Sequence, residues 1–165
     1  MTRTRIAAGI ALLALVLFVS TALGAPPAAS GVAAVDEAWK KAVTANDLDA
    51  VMACYATDAV AWLPDEPEAK GADAIREGYR SLFAANTVRS ADLSGMHYEV
   101  HGNRAVGWGR FTLTLEPKSG GGQPITMKGR YSEVAERRGG RWVYVLDHAS
   151  VEPAPPAATA PAKKP

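Results

Sequence analysis

The chain holds a single cysteine, Cys54, in 165 residues, so no internal disulfide framework is available and stability has to come from a buried core. Charge of one sign is also missing: 18 Lys and Arg stand against 17 Asp and Glu, and no basic field exists to draw in a nucleic acid. Histidines are few. The one close pair, His97 and His101, would lie about 13 Å apart on a strand, too far to share an ion, and no metal is expected. Gly120 to Gly122 follow Ser119 without the lysine or the strand-to-helix setting of a phosphate-cradling loop, so no cofactor is implied. The longest apolar run, Ile6 to Val19, falls short of the roughly 20 residues that cross a bilayer.

That run has a different meaning at a chain's start. Arg3 and Arg5 precede it and the small, turn-prone stretch Ser20 to Ala25 follows it, the layout of a secretory signal with Ala22 and Gly24 at the small-residue positions before cleavage. Residues 1–24 are read as a signal peptide and 25–31 as a spacer, which puts the mature protein in the periplasm or outside the cell. Removing Arg3 and Arg5 from the 18 basic residues leaves 16 against 17. At the other end, residues 153–165 read PAPPAATAPAKKP and offer no large apolar side chain to bury; an extended, disordered tail is expected. The folded part is then residues 32–152, one domain.

Within it, Val32, Val35, Ala38, Trp39, Ala42 and Val43 recur at helical steps, with Asp36, Glu37, Lys40 and Lys41 between them. Asn46 and Asp47 break this helix and cap a second one through Tyr55, where Leu48, Val51 and Met52 make the buried side and Cys54 sits as a small apolar residue. Ala59 to Leu63 is a short strand stopped by Pro64. Ala72 to Ala85 is a third helix, with Ile75, Tyr79, Leu82 and Phe83 on one side. From Val88 the period changes to two, and the runs are divided by Gly102-Asn103, Ser119 to Gly122 and Gly139-Gly140, all good hairpin chemistry. Four long antiparallel strands follow: Arg89 to His101, Arg104 to Pro117, Pro124 to Arg137 and Arg141 to Glu152. Helices first and a meander afterwards define an α+β fold, its helices packed on one face of a strongly bent sheet.

Strict alternation on the last strand puts Trp142, Tyr144, Leu146, His148 and Ser150 on one face and Val143, Val145, Asp147, Ala149 and Val151 on the other. Asp147 and His148 then point apart and cannot pair. One strand earlier, Arg130, Ser132 and Val134 share a face.

The stretch from Trp39 to Val60, with N-D-L-D at 46–49 and Y-A-T-D-A-V at 55–60, then Pro64, Gly71 and D-A-I-R-x-G-Y at 73–79, resembles the SnoaL-like and ketosteroid-isomerase-like proteins of the nuclear transport factor 2-like superfamily. So does the ending R-Y-S-x-V, G-R-W-x-Y-V-x-D-H-A-S. The resemblance spans Ala34 to Val151 and implies a cone-shaped α+β barrel: three N-terminal helices on a strongly curved antiparallel sheet. It does not select an activity, because that superfamily includes isomerases, cyclases, dehydratases, hydrolases, binding subunits and association domains. The steroid-isomerase residues do not carry over. Trp39 falls where the family's tyrosine belongs, Leu63 where its general-base aspartate belongs, and Ser132 near its second acid; leucine cannot take a proton.

The same resemblance implies that Arg130, Ser132 and His148 look into the cone, where Arg130 and His148 would give a polar, anion-tolerant floor. Trp39, Tyr55, Trp62, Tyr79 and Trp108 are the candidate aromatic walls. For each residue a structural role stands beside the binding one: His148 as a satisfied core histidine, Arg130 paired with Glu133 or Glu136, and the aromatics as plain packing. The expectation is a pocket for an apolar or acidic small molecule, with an isomerase, cyclase or hydrolase among the possibilities. A non-catalytic dimerisation module similar to the kinase association domain is the alternative, and a homodimer is expected in either case.

Overall fold

The computed structural model of the protein describes residues 28–120 and 122–153; the expected signal peptide, the first residues of the spacer and nearly all of the tail lie outside them. Helix α1 runs Ala28–Thr44 and so starts inside the expected spacer; α2 is Leu48–Met52, strand β1 Tyr55–Trp62, β2 Ala69–Lys70 and α3 Ala72–Ala85. The long strands are β3 Asn86–His101, β4 Arg104–Pro117, β5 Ile125–Arg138 and β6 Arg141–Val151. The second helix is shorter than its periodicity suggests, because Tyr55 already belongs to β1 and pairs with Tyr144 of β6. Asp47 caps α2 by accepting from the Ala50 N–H at 3.0 Å, which satisfies one of the helix's free donors. Among the described residues no helix is long and apolar enough to cross a membrane.

The six strands form one sheet in the order β2-β1-β6-β5-β4-β3. All neighbours are antiparallel except β1 and β6, which run parallel, so the sheet is mixed and its two edges stay open. Helices α1 and α3 lie in its concave face. Val32, Val43, Val51, Ile75 and Val88 are fully buried there, each contributing about 1.5–3 kcal/mol relative to exposure. The inward residues of β4 are Ala105, Phe111, Leu113 and Leu115, and those of β5 are Gly129, Tyr131, Glu133 and Ala135.

Two of the sheet's register shifts decide which residues near the cavity floor face inside. In β3 the pairing passes from Ser94↔Arg110 to His97↔Trp108, one residue too many on β3, with Gly95 at φ 58 taking the left-handed conformation that such a bulge needs. In β6 it passes from Ala135↔Tyr144 to Val134↔Leu146, leaving Val145 as the extra residue. Each bulge breaks the period of two. Beyond the first, Tyr98 reaches the interior; beyond the second, Asp147 and Ala149 do, although Tyr144 is also inward.

Candidate functional site

Helix α1 delivers an acid to the interior. Asp36 lies within the buried arc of Val32, Val35, Trp39 and Val43 and is 1% exposed, rather than on the solvent side with Glu37 and Lys40. A buried carboxylate needs donors. It gets three tyrosines: the Tyr144 hydroxyl donates to Oδ1 at 2.6 Å, Tyr98 to Oδ2 at 2.5 Å, and Tyr131 to Oδ2 at 3.3 Å. Beside it stands Glu133, 3% exposed, with no basic partner and with Oε1 lacking any hydrogen-bond partner. Burial first, then the negative charges of Asp36 and Asp147 and a hydrogen bond to Asp36, push Glu133 up to about 10. At neutral pH Glu133 is therefore a carboxylic acid whose proton goes to Asp36. Its side chain fits because residue 107, directly opposite on β4, is glycine: a Cβ there would lie 2.5 Å from Glu133 Oε1.

A second carboxylate stands across from Glu133 in the β5–β6 pairing. Asp147 accepts from the Tyr55 hydroxyl at 2.5 Å. Tyr55 and Tyr79 hydroxyls are 2.8 Å apart, and the Trp39 Nε1–H donates to Tyr79 at 2.8 Å. Since the Tyr55 proton is committed to Asp147, Tyr79 must donate to Tyr55, and the chain Trp39→Tyr79→Tyr55→Asp147 has a fixed direction. Such chains strengthen their last bond. Burial raises Asp147 to about 6, helped by the charge of Asp36 and opposed by the Tyr55 hydrogen bond and by His148. Tyr55 engages Oδ2, and Asp147 also lines the cavity described next.

These groups form the deep end of a cavity of about 550 Å³ inside the cone. Leu82, Leu93, Phe111, Leu113, Leu115 and Met127 make an apolar barrel above them, and Leu63, Pro64, Asp65 and Glu66 of the loop after β1 border it. Among the described residues lining it there are five acids, Asp36, Asp65, Glu66, Glu133 and Asp147, and no Lys, Arg or His. No group of described residues is disposed to hold a metal ion.

The predicted site residues divide accordingly. Trp39 and Tyr79 line the cavity, and Tyr55 is buried beneath Asp147. Arg130 and His148 do not enter: both are exposed on the convex face, as are Trp62 and Trp108, each at 38%, and Ser132 is half-buried on that face. In β5 the inner parity belongs to Tyr131 and Glu133, not to Arg130 and Ser132; in β6 the bulge at Val145 breaks the alternation that ties His148 to Tyr144. The convex face instead carries a cross-strand row, Trp62, His148, Ser132, Trp108 and His97, one residue from each of five neighbouring strands. His97 stacks on Trp108 at 5.6 Å and His148 meets Trp62 edge-on at 6.1 Å. Asp147 and His148 do point apart. The acid sought near Ser132 also exists, one residue on, as the inward Glu133, while Leu63 borders the cavity as an apolar residue.

Asp36, Glu133 and Asp147 were not singled out from the sequence as a site. The signals were present: Asp36 follows Val32 by four residues and precedes Trp39 by three, inside the apolar arc, and Glu133 alternates with Tyr131 and Ala135. All five tyrosines of the chain, Tyr55, Tyr79, Tyr98, Tyr131 and Tyr144, spend their hydroxyls on these two carboxylate nests.

A curved, open sheet wrapped around helices over a polar-floored cavity is the cone architecture of the nuclear transport factor 2-like proteins. The family model of the SnoaL-like domain matches residues 35–145, most of the chain, and the chain belongs to that family. Among solved structures it is similar to a candidate calcium/calmodulin-dependent protein kinase II association domain from Xanthomonas campestris, with 23% identity, TM-score 0.66, and coverage of 74% of this chain and 86% of that one. A ketosteroid isomerase-like protein from Erwinia carotovora atroseptica matches at 20% identity and TM-score 0.66 over 76% and 96% of the two chains. A candidate scytalone dehydratase from Novosphingobium aromaticivorans matches at 12% and 0.70 over 76% and 84%. At these identities the likeness is one of fold. No curated protein matches the chain.

Proposed function

We propose that the cavity is an active site for proton-transfer chemistry on a small, mainly apolar molecule, with Asp147 as the proton acceptor. The observation that carries this reading is the placement of Asp147: a carboxyl at the floor of an apolar cavity, braced by the Tyr55–Tyr79–Trp39 chain and raised to about 6, poised to take and return a proton near neutral pH. Glu133, kept neutral opposite it with its proton on the Asp36 side, adds no second charge beside Asp147. Isomerisation of a ketone and many dehydrations begin with removal of a proton from carbon. The similar structures described as a ketosteroid isomerase-like protein and a candidate scytalone dehydratase are in keeping with that class.

The test uses 2-tetralone, a bicyclic ketone with acidic C–H bonds, in deuterated buffer. Deuterium incorporation followed by NMR is expected to be faster with the protein than without it. Asp147→Asn should remove about 10²-fold or more of that acceleration, the usual range for a general base. Equal exchange by both proteins would remove Asp147 from the role.

A second reading, the association module, has its own observation: the convex sheet face exposes Trp62, Val106 and Trp108. We propose a homodimer through this face, compatible with either use of the cavity. Export is likewise proposed, on the signal-like residues 1–24; sequencing the mature N-terminus should find a start near Ala25, and an intact Met1 in exported material would refute it.

A further inference from the structure

The cavity's charge is one-sided. None of its five acids, Asp36, Asp65, Glu66, Glu133 and Asp147, has a cation on the cavity wall, since nothing basic lines the space among the described residues. The nearby arginines are occupied elsewhere or lie outside: Arg76 pairs with Asp49, Arg80 with Glu77, and Arg130 is on the convex face. Ion pairs thus do not neutralise the interior; Asp36 is held by tyrosine hydroxyls and the Glu133 proton, and Asp147 by the Tyr55 hydroxyl. Glu133, 97% removed from solvent by its 3% exposure, also leaves one carboxyl oxygen with no donor. A low-dielectric cavity with acids at its floor and border, and with no counter-charge, concentrates cations and repels anions. Trp39, Tyr79 and Tyr131 add aromatic faces, which favour a positive group further.

We infer that the cavity takes an apolar organic cation: a molecule with an aromatic or alicyclic frame of a size to fill the barrel, bearing a basic nitrogen protonated at neutral pH. The inference rests on the reading of this cavity as a small-molecule site and names its ligand class; it reverses the anion-tolerant floor expected from Arg130 and His148. The frame lies among Leu82, Leu93, Phe111, Leu113 and Met127, and the ammonium finds the acceptor that water cannot supply in a narrow apolar space. Asp147 is the group through which pH acts. Facing it are Tyr55 of β1, Tyr79 of α3, Trp39 and Asp36 of α1 and Glu133 of β5, with His148 of its own strand directed outward.

Three probes share one ring system and differ in charge: 1-naphthylmethylamine, 1-naphthalenemethanol and 1-naphthoate. Titration calorimetry at pH 7.5 should show the amine binding about tenfold or more tighter than the alcohol, the scale of one desolvated charge contact, and the naphthoate weakest. At pH 5, with Asp147 protonated, the amine's advantage over the alcohol should shrink. Asp147→Asn should abolish that pH dependence, whereas Trp108→Glu on the convex face should leave all three affinities within about twofold of wild type. Naphthoate binding as tightly as the amine, an amine no tighter than the alcohol at pH 7.5, or no amine binding at millimolar concentration would each overturn the inference. Its fate is separate from that of the exchange assay. Amine selectivity without deuterium exchange would leave a cation-binding cavity and remove the catalytic reading; exchange together with naphthoate selectivity would do the reverse.

Discussion

Asp36 concentrates much of the molecule's internal polarity in one side chain. Three tyrosines, from β3, β5 and β6, converge on it, and Glu133 gives it a fourth proton. Asp36→Ala leaves those donors buried and unanswered, and is expected to cost about 3–5 kcal/mol or more in urea unfolding, the range for losing one member of a buried charged network. A loss below about 1 kcal/mol would show that the donors find other acceptors. Glu133→Gln is the gentler probe, since its amide still donates to Asp36. Glu133 is raised from an ordinary 4.5 to about 10, so between those values the native state holds a proton that the unfolded chain has released, and wild-type stability falls as pH rises. Glutamine does not titrate. The variant should therefore gain on wild type between about pH 5 and about pH 9, and a difference constant with pH would contradict the neutral state of Glu133.

At the scale of elements, what could be read in the chain followed from local rules, and what could not followed from where those rules are interrupted. The third helix, Ala72–Ala85, and the strand Arg104–Pro117 coincide with their sequence signals because apolar spacing and turn glycines act within a few residues. The parallel seating of β1 on β6 is a contact between distant segments, and no local pattern announces it. Face assignments failed for a different reason. A bulge is one extra residue with no strong composition, and Val145 looks like any other strand valine. Strict alternation therefore puts His148 inside and Asp147 outside, the reverse of the fold; in β5, where no bulge precedes Tyr131, the inner face belongs to Tyr131 and Glu133 rather than Arg130. The aromatic part of the site was legible in Trp39, Tyr55 and Tyr79, because large rings on a helix stripe or an early strand are core in almost any packing. Its acids were not, because a carboxylate normally signals the surface and is turned inward here only by hydroxyl partners from remote strands.

For the whole molecule, the concave side is filled by α1, α3 and the cavity, which leaves the convex side uncovered, with Trp62, Val106 and Trp108 exposed on it. Its row of Trp62, His148, Ser132, Trp108 and His97 crosses five strands, and a second copy laid across it would cover the tryptophans. Trp108→Glu, placing a charge in the middle of that row without touching the interior, should shift sedimentation from dimer to monomer while leaving 2-tetralone exchange and naphthyl-probe binding unchanged. A wild-type monomer at high concentration, or a variant dimer as tight as wild type, would count against this face.

The commitment of every tyrosine to the interior has an optical consequence. Ionising a phenol shifts its near-ultraviolet band to longer wavelength and strengthens it, and in an ordinary protein that tyrosinate band grows in as pH passes about 10. In this fold burial and the neighbouring carboxylates hold all five well above that point. An alkaline absorbance titration should stay flat through the usual tyrosine range and then rise in one step, for all five together, at the pH where the cone comes apart. The tyrosinate band would thus serve as a built-in reporter of global unfolding that needs no added dye.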